Sequence, residues 1–397
     1  MNPTLKTTFA GIPMLNPFLL ASAPPTGNCE MLARAFEAGW GGAVIKTVAY
    51  DRRVSQNVSP RIAAYKNGKN ILGFTNFELG SGAALEQWLT GIRWLKEKFP
   101  DHVVLVSLLH TEELVEQQWR AVTRMFNDTG ADGYELNLSC SHGMAESGGG
   151  AQVGGSKDAI KTVTRWVCEE TTLPVMPKLP VMAPDLIGRA EAAKEAGAAA
   201  IASINTLNSI PGIDLYTFRP FPTVDGMSAY SGLSGRAIKP IALRTVAQLA
   251  GGIDLPISGI GGIYGWEDAA EFILAGASSL QICSAVMEYG YGCIGAIKQG
   301  LLNYMDSMNF LNIDSFRGKS LPYITAHNNL SRSVRMKAVC QKEKCINCGR
   351  CIAVCRDSGF SAIEHGNEKA SVNHTKCDGC GLCTQVCPTN ALSMVAP

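Results

Sequence analysis

The 397-residue chain has no apolar run approaching the ~18 residues that a membrane-spanning helix needs. It has almost no charge excess, +1 in all, and no basic stretch interleaved with aromatics. Neither a nucleic acid nor another polyanion is therefore indicated as a partner. The opening, MNPTLKTTFAG, lacks the charged and apolar regions of a secretory leader. No G-x-G-x-x-G joins a strand to a helix, so no dinucleotide site is visible. These absences predict a soluble, cytoplasmic protein whose nicotinamide chemistry, if any, happens on another polypeptide.

What is present is apolar residue in quantity, 46% of the chain, and fourteen cysteines. Short β-rich apolar runs recur: PFLLASA (17–23), GAVIKT (42–47), VVLVSLL (103–109), GYELNLS (133–139), VMPKLP (175–180), AAIASIN (199–205), LPISGIG (255–261) and SSLQICS (278–284). Helix-like stretches ending at glycine separate most of them, as in DLIGRAEAAKEAG and WEDAAEFILAG. Nearly continuous apolar strands alternating with helices indicate a parallel sheet. Eight units fit a closed (β/α)8 barrel, with an open doubly wound sheet as the alternative. The expected division is a barrel over 1–308, a linker over 309–335 and a small module over 336–397. Residues 1–16 read as a hairpin ahead of the barrel.

Barrel active sites lie where the strands end at the C-terminal face. Lys46 and Thr47 end strand two, and Asn137 and Cys140 end strand four. Lys178 lies near the end of strand five, Asn205 ends strand six, and glycines and Ser284 end strands seven and eight. Residues scattered through a core would not share that phase.

CINCGRCIAVC places Cys345, Cys348, Cys351 and Cys355 at x2, x2, x3, and CDGCGLCTQVCP repeats the spacing with Cys377, Cys380, Cys383 and Cys387. Two such runs predict two [4Fe–4S] clusters, the fourth cysteine of each run serving the other cluster. Cys345, Cys348, Cys351 and Cys387 then hold one, and Cys377, Cys380, Cys383 and Cys355 the second. The first run has Arg356 where the second has Pro388, and zinc is the competing reading. Disulfides do not suit a chain without a leader.

Clusters pass single electrons and nicotinamides pass hydrides, so a barrel joined to two clusters suggests a flavin between them. SGLSG (231–235), SGIGGI (258–263) and CSA (283–285) offer small residues where a barrel holds a flavin phosphate, or else are loop punctuation. Lys46 and Lys178 either face an anionic reduced flavin in the barrel mouth or lean out to solvent. Asn76, Glu78, Asn137 and Asn205 could face a ring that alternates C=O and N–H, such as a pyrimidine, or simply cap strand ends. Cys29, Cys168, Cys283, Cys293 and Cys340 read as buried apolar thiols. Cys140, between a strand and a glycine-rich stretch, is instead suited to give a proton, since a thiol titrates near ~8.5. His142 is its neighbour, as a site residue or a loop residue.

The segments NLSCSHGM, FEAGWGGAVIKT, VSPRI, NFEL and the two cysteine runs resemble dihydropyrimidine dehydrogenase, specifically the flavin-and-ferredoxin subunit of the bacterial NAD-dependent enzyme. The resemblance covers nearly the whole chain. It implies a dihydroorotate-dehydrogenase-like barrel with FMN, reversible reduction of uracil or thymine at C5=C6, and a partner subunit carrying FAD and the NAD(P)H site. It implies Cys140 as the proton donor to C5. It implies flavin contacts at Ser22, Lys46, Thr47, Asn137, Lys178, Ser234, Gly235, Gly261, Gly262, Cys283 and Ser284, and substrate contacts at Asn76, Glu78, Asn137, Asn205 and Thr206. The chain departs from the family pattern at Ser141, at KLPVM (178–182), at INT (204–206) and in AESGGGAQVGG, all around the pocket. Rival readings are dihydroorotate or another cyclic amide or enone as substrate, and a non-catalytic electron-transfer subunit.

Overall fold

The computed structural model describes residues 2–50, 57–109, 115–138, 151–181, 184–366 and 369–396. They form two compact units, Met1–Tyr323 and Ile324–Pro397. Among the described residues no helix is long and apolar enough to cross a membrane.

The first unit is a closed barrel of eight parallel strands in chain order. The strands are β1 (Phe18–Leu20), β2 (Gly42–Val44), β3 (Val103–Leu108), β4 (Gly133–Asn137), β5 (Val175–Lys178), β6 (Ile201–Ser203), β7 (Ile257–Ile260) and β8 (Ser279–Ile282). A pairing of Ala202 with Lys178 joins β6 to β5 and one of Ile282 with Leu20 joins β8 to β1, so no edge is left open. Side chains alternate along each strand. Val104, Val106, Tyr134 and Leu136 join the large core beneath the helices. Leu105, Met176 and Val44 point inward, where Phe9, Ile12 and Met14 of the N-terminal hairpin close the bottom of the barrel. Above that plug the interior is polar: Ser107, Glu135, Ser258, Ser279 and Gln281 are all buried.

The helices end as their sequences dictate. The helix Leu186–Glu195 is capped by Asp185, whose carboxylate accepts from the Gly188 N–H at 3.0 Å. Gly197 follows it at φ +101°, a conformation open to glycine and costly for other residues.

Two excursions interrupt the alternation. Ile62–Asn67 and Asn70–Asn76 lie between β2 and β3, and Leu207–Ser209 and Ser231–Ser234 lie between β6 and β7. The four strands join into one antiparallel sheet. Residues 309–323, read from sequence as the start of a linker, pack instead on the barrel unit. Ile313 and Phe316 are fully buried there, and the Gly318 N–H donates to the Ile273 carbonyl at 2.9 Å.

In the second unit Lys337–Cys340 pairs with Leu392–Val395, and Ile363–His365 with Ala370–Val372, both antiparallel. The short helices Arg350–Asp357 and Leu382–Gln385 each carry the latter part of a cysteine run. Ala338, Ile363, Ala370 and Leu392 form a core with the cysteines themselves, small even for a unit of this length.

Candidate active site

A cavity of about 1060 Å³, counting its open mouth, lies at the C-terminal ends of the barrel strands. Every predicted flavin and substrate contact lines it: Ser22, Lys46, Thr47, Asn76, Glu78, Asn137, Lys178, Asn205, Thr206, Ser234, Gly235, Gly261, Gly262, Cys283 and Ser284. Cys140, Ser141 and His142 lie outside the described residues.

One wall is a chain of hydrogen bonds across the ends of five strands. The Ser22 and Thr47 hydroxyls lie 2.9 Å apart, and Thr47 lies 2.9 Å from the Ser107 hydroxyl. Asn137 Nδ2 donates to Thr47 Oγ1 at 3.2 Å, and Asn205 Nδ2 donates to Asn137 Oδ1 at 3.1 Å. The Thr206 N–H donates to Asn205 Oδ1 at 2.8 Å. Across the mouth, Asn76 Nδ2 donates to the Gly232 carbonyl at 3.0 Å, and its Oδ1 accepts from the Glu78 N–H at 3.1 Å. These bonds fix which end of each amide carries donors. Asn76 and Asn137 line the cavity with amides that can both donate and accept.

Lys46 and Glu78, assigned from sequence to different ligands, form one ion pair of 2.8 Å. Arg61 donates its Nε–H to the other oxygen of Glu78. Burial works to raise the Glu78 carboxyl, but Lys46 and Arg61 outweigh it and hold the group below its ordinary range. Burial pushes the Cys283 thiol up to about 11, so it is a protonated thiol near neutrality.

The far wall is backbone. Gly235 has φ +97°, and a Cβ there would stand 2.5 Å from the Gly73 Cα. Gly261 has φ +129°, and its Cβ would meet the Ala242 side chain at 2.7 Å. Beside Gly262, Ser284 Oγ donates to Ser234 Oγ at 2.8 Å. The Arg236 guanidinium lies 3.6 Å over the Tyr264 ring and donates to Glu288 and Tyr289 at 2.8 Å, pinning this turn.

The second unit brings the cysteines together in two cavities. One, of about 360 Å³, is lined by Cys345, Cys348, Cys351 and Cys387. The other, of about 350 Å³, is lined by Cys377, Cys380, Cys383 and Cys355. Each gathers three thiols of one run and the last thiol of the other. Among the described residues no three His, Cys, Asp or Glu side chains converge tightly enough for a single ion. Thiols spread around a cavity suit a four-iron cube instead. The Ala362 N–H lies 3.3 Å from the Cys355 sulfur and the Ala391 N–H 3.2 Å from that of Cys387. Cys340 lines the first cavity as well, which its reading as a buried apolar thiol did not signal.

Sequence reasoning missed Ser107, Glu135, Gln281, Arg61 and Tyr264. The signal for Glu135 was a lone carboxylate inside the apolar run GYELNLS. The others carry no local mark.

The family model described as dihydroorotate dehydrogenase matches residues 4–305. The chain belongs to that family. A 4Fe-4S dicluster domain matches residues 338–394. This dihydroorotate dehydrogenase family member is 40% identical to the NAD-dependent dihydropyrimidine dehydrogenase subunit PreA of Escherichia coli (strain K12), over 93% of this chain and 89% of that one. It is 37% identical to the chloroplastic dihydropyrimidine dehydrogenase (NADP(+)) of Arabidopsis thaliana, over 86% and 82%. It is 35% identical to the dihydroorotate dehydrogenase B (NAD(+)) catalytic subunit of Pyrococcus abyssi, over 80% of this chain but 99% of that one. That match takes in almost the whole of the Pyrococcus abyssi subunit but leaves a fifth of this chain uncovered. FMN is the cofactor of the family, and the wall fits it: glycine backbone where a phosphate would approach, two cavity lysines for an anionic ring, and a buried Gln281 carbonyl oxygen with no hydrogen-bond partner among the described residues. The dicluster domain carries two iron–sulfur clusters.

Proposed function

We propose that this chain is the pyrimidine-reducing subunit of a dihydropyrimidine dehydrogenase, saturating the C5=C6 bond of uracil or thymine and reversing that reaction with the dihydro compound. Electrons reach it through the two clusters from a partner subunit that carries FAD and oxidises NAD(P)H. The observation that carries the reading is the amide and carboxylate wall of a flavin-sized cavity, in a chain whose full-length relatives are named dihydropyrimidine dehydrogenases. FMN in this cavity supplies hydride chemistry that a one-electron cluster cannot.

The residues do the rest. Gly235, Gly261, Gly262, Ser234 and Ser284 hold the phosphate through backbone N–H and hydroxyl donors. Ser22, Thr47, Lys46, Lys178 and Cys283 border the ring. Asn76, Asn137, Asn205 and Thr206 donate to and accept from the pyrimidine edge, and Glu78 accepts from a ring N–H. Because Lys46 and Glu78 are one ion pair, the flavin and substrate contacts are set by a single piece of geometry. Cys140, two residues beyond Leu138, is assigned the proton given to C5, and in the reverse direction its thiolate takes that proton back. Cys345, Cys348, Cys351 and Cys387 ligate one cluster, and Cys377, Cys380, Cys383 and Cys355 the other.

The test is anaerobic photoreduction of the purified protein, followed by uracil, thymine, orotate or buffer. Reoxidation of the flavin by uracil or thymine is expected. Reoxidation by orotate alone would move the chain to the dihydroorotate reading, and none with any compound would favour an electron-transfer subunit.

A further inference from the structure

Glu135 lies in the middle of β4 with its side chain inside the barrel and is fully buried. Its Oε2 accepts from Gln281 Nε2 at 2.7 Å. Its Oε1 has no hydrogen-bond partner among the described residues, and faces Lys178 Nζ at 3.5 Å. Gln281 Nε2 also donates to Ser258 Oγ at 3.2 Å, and Ser279 Oγ donates to the same oxygen at 2.9 Å. Glu135, Gln281, Ser258 and Ser279 are each no more than 1% exposed. Lys178 and Gln281 line the cavity; Glu135 lies behind them and does not.

A carboxylate so placed reaches neither solvent nor ligand, so its charge must be balanced inside the protein. Lys178 is the cation that faces it. The other groups around Lys178 do not replace it. On the far side of the cavity Lys46 is already paired with Glu78, the Cys283 thiol beyond β8 is neutral near pH 7, and β6 offers only Ile201, Ala202 and Ser203. At 3.5 Å the pair is held by charge without a formed hydrogen bond, which leaves the ammonium's donors available to the cavity.

We propose that Glu135 is a positioning residue: it is the fixed counterion of the Lys178 ammonium at the cavity floor when a bound ring displaces water, and so sets how strongly the site favours reduced over oxidised FMN. The inference rests on the flavin reading above. A desolvated ammonium without a counterion gives up its proton within the working pH range, whereas a paired one does not. Gln281 holds the carboxylate directly, and Ser258, itself bonded to Ser279, holds Gln281.

The experiment is a potentiometric titration of bound FMN from pH 6 to 9. In Glu135→Gln, which keeps the Gln281 contact and removes the charge, the potential should break in slope where Lys178 now titrates. Above the break the reduced-to-oxidised affinity ratio should be about tenfold lower than wild type, ~30 mV for a two-electron couple. Glu135→Asp keeps the charge one methylene further away and should show a smaller change of the same sign. This second variant carries the test if the glutamine variant does not fold. In a Lys178→Met background neither substitution should alter the potential further. A profile parallel to wild type in both variants, or an undiminished effect without Lys178, would overturn the proposal. Wild-type protein that takes up no FMN would overturn the flavin reading and this one with it.

Discussion

Glu78 accepts from Lys46 and Arg61 at once, and its carboxyl is held below its ordinary range. A lowered folded-state pKa means stability that is complete above the unfolded value, near ~4.3, and lost as pH falls below it. Glu78→Gln should therefore lower the stability of the barrel by roughly 1.5–3 kcal/mol at pH 7. The gap to wild type should narrow on acidification to pH 4, read as unfolding midpoints in urea at the two pH values. An equal gap at both would detach the effect from the carboxylate's charge. Cys140 makes a different kind of prediction, because the role proposed for it is proton transfer and neither flavin nor cluster binding. Cys140→Ala should keep FMN, iron and reduction by dithionite, while turnover with a viologen donor falls ~10²–10⁴-fold, the usual worth of a general acid. Serine should restore little, a hydroxyl being a far weaker acid. Near-normal turnover in the alanine variant would take the proton-donor role away from Cys140.

The loops after β6, β7 and β8 supply the wall on which a phosphate can rest, and their glycines are there for space. Gly261→Ala would place a methyl 2.7 Å from the Ala242 side chain at φ +129°. The expected result is a folded barrel with little FMN, shown by flavin content after desalting. Full FMN content would put the phosphate elsewhere. The elements themselves were legible because each strand is a short β-rich run closed by a helix, a pattern set by local sequence. Asn137 and Lys178 were legible too, since they end such runs and pair in register across β4 and β5. The sheet formed by Ile62–Asn67, Asn70–Asn76, Leu207–Ser209 and Ser231–Ser234 was not. Its pairing of Asn76 with Gly232 spans more than 150 residues and leaves no periodic trace. The same distance hid the joining of Glu135 to Gln281, 146 positions apart. What brings such residues together is barrel closure, which no window of sequence contains.

The second unit has a small core, and its eight cluster cysteines surround two cavities rather than packing one. Cluster binding is therefore folding energy for this unit, as in other small metal-dependent domains. The crossed arrangement makes the two clusters interdependent. Cys387→Ser should damage the cluster held by Cys345, although Cys387 belongs to the other run, and Cys345→Ser should give the same electron paramagnetic resonance change. If Cys387→Ser affected only the cluster of Cys377, Cys380 and Cys383, each run would serve its own cluster. The intact chain should carry about eight irons, two cubanes' worth. It should take electrons from dithionite or reduced viologen and pass them to a pyrimidine, yet oxidise neither NADH nor NADPH at a useful rate. The chain's G-x-G-x-x-G, Gly290–Gly295, follows the helix Ser284–Tyr289 and not a strand, so it is not the strand-to-helix turn of a dinucleotide site. The measurement is anaerobic NADH oxidation by purified chain, with and without a flavoprotein fraction that carries FAD and oxidises NADH. Oxidation should appear only with the second component and should then depend on intact clusters. Rapid NADH oxidation by the chain alone would mean that the FMN cavity itself admits the nicotinamide, and the clusters would then carry electrons outward instead of in.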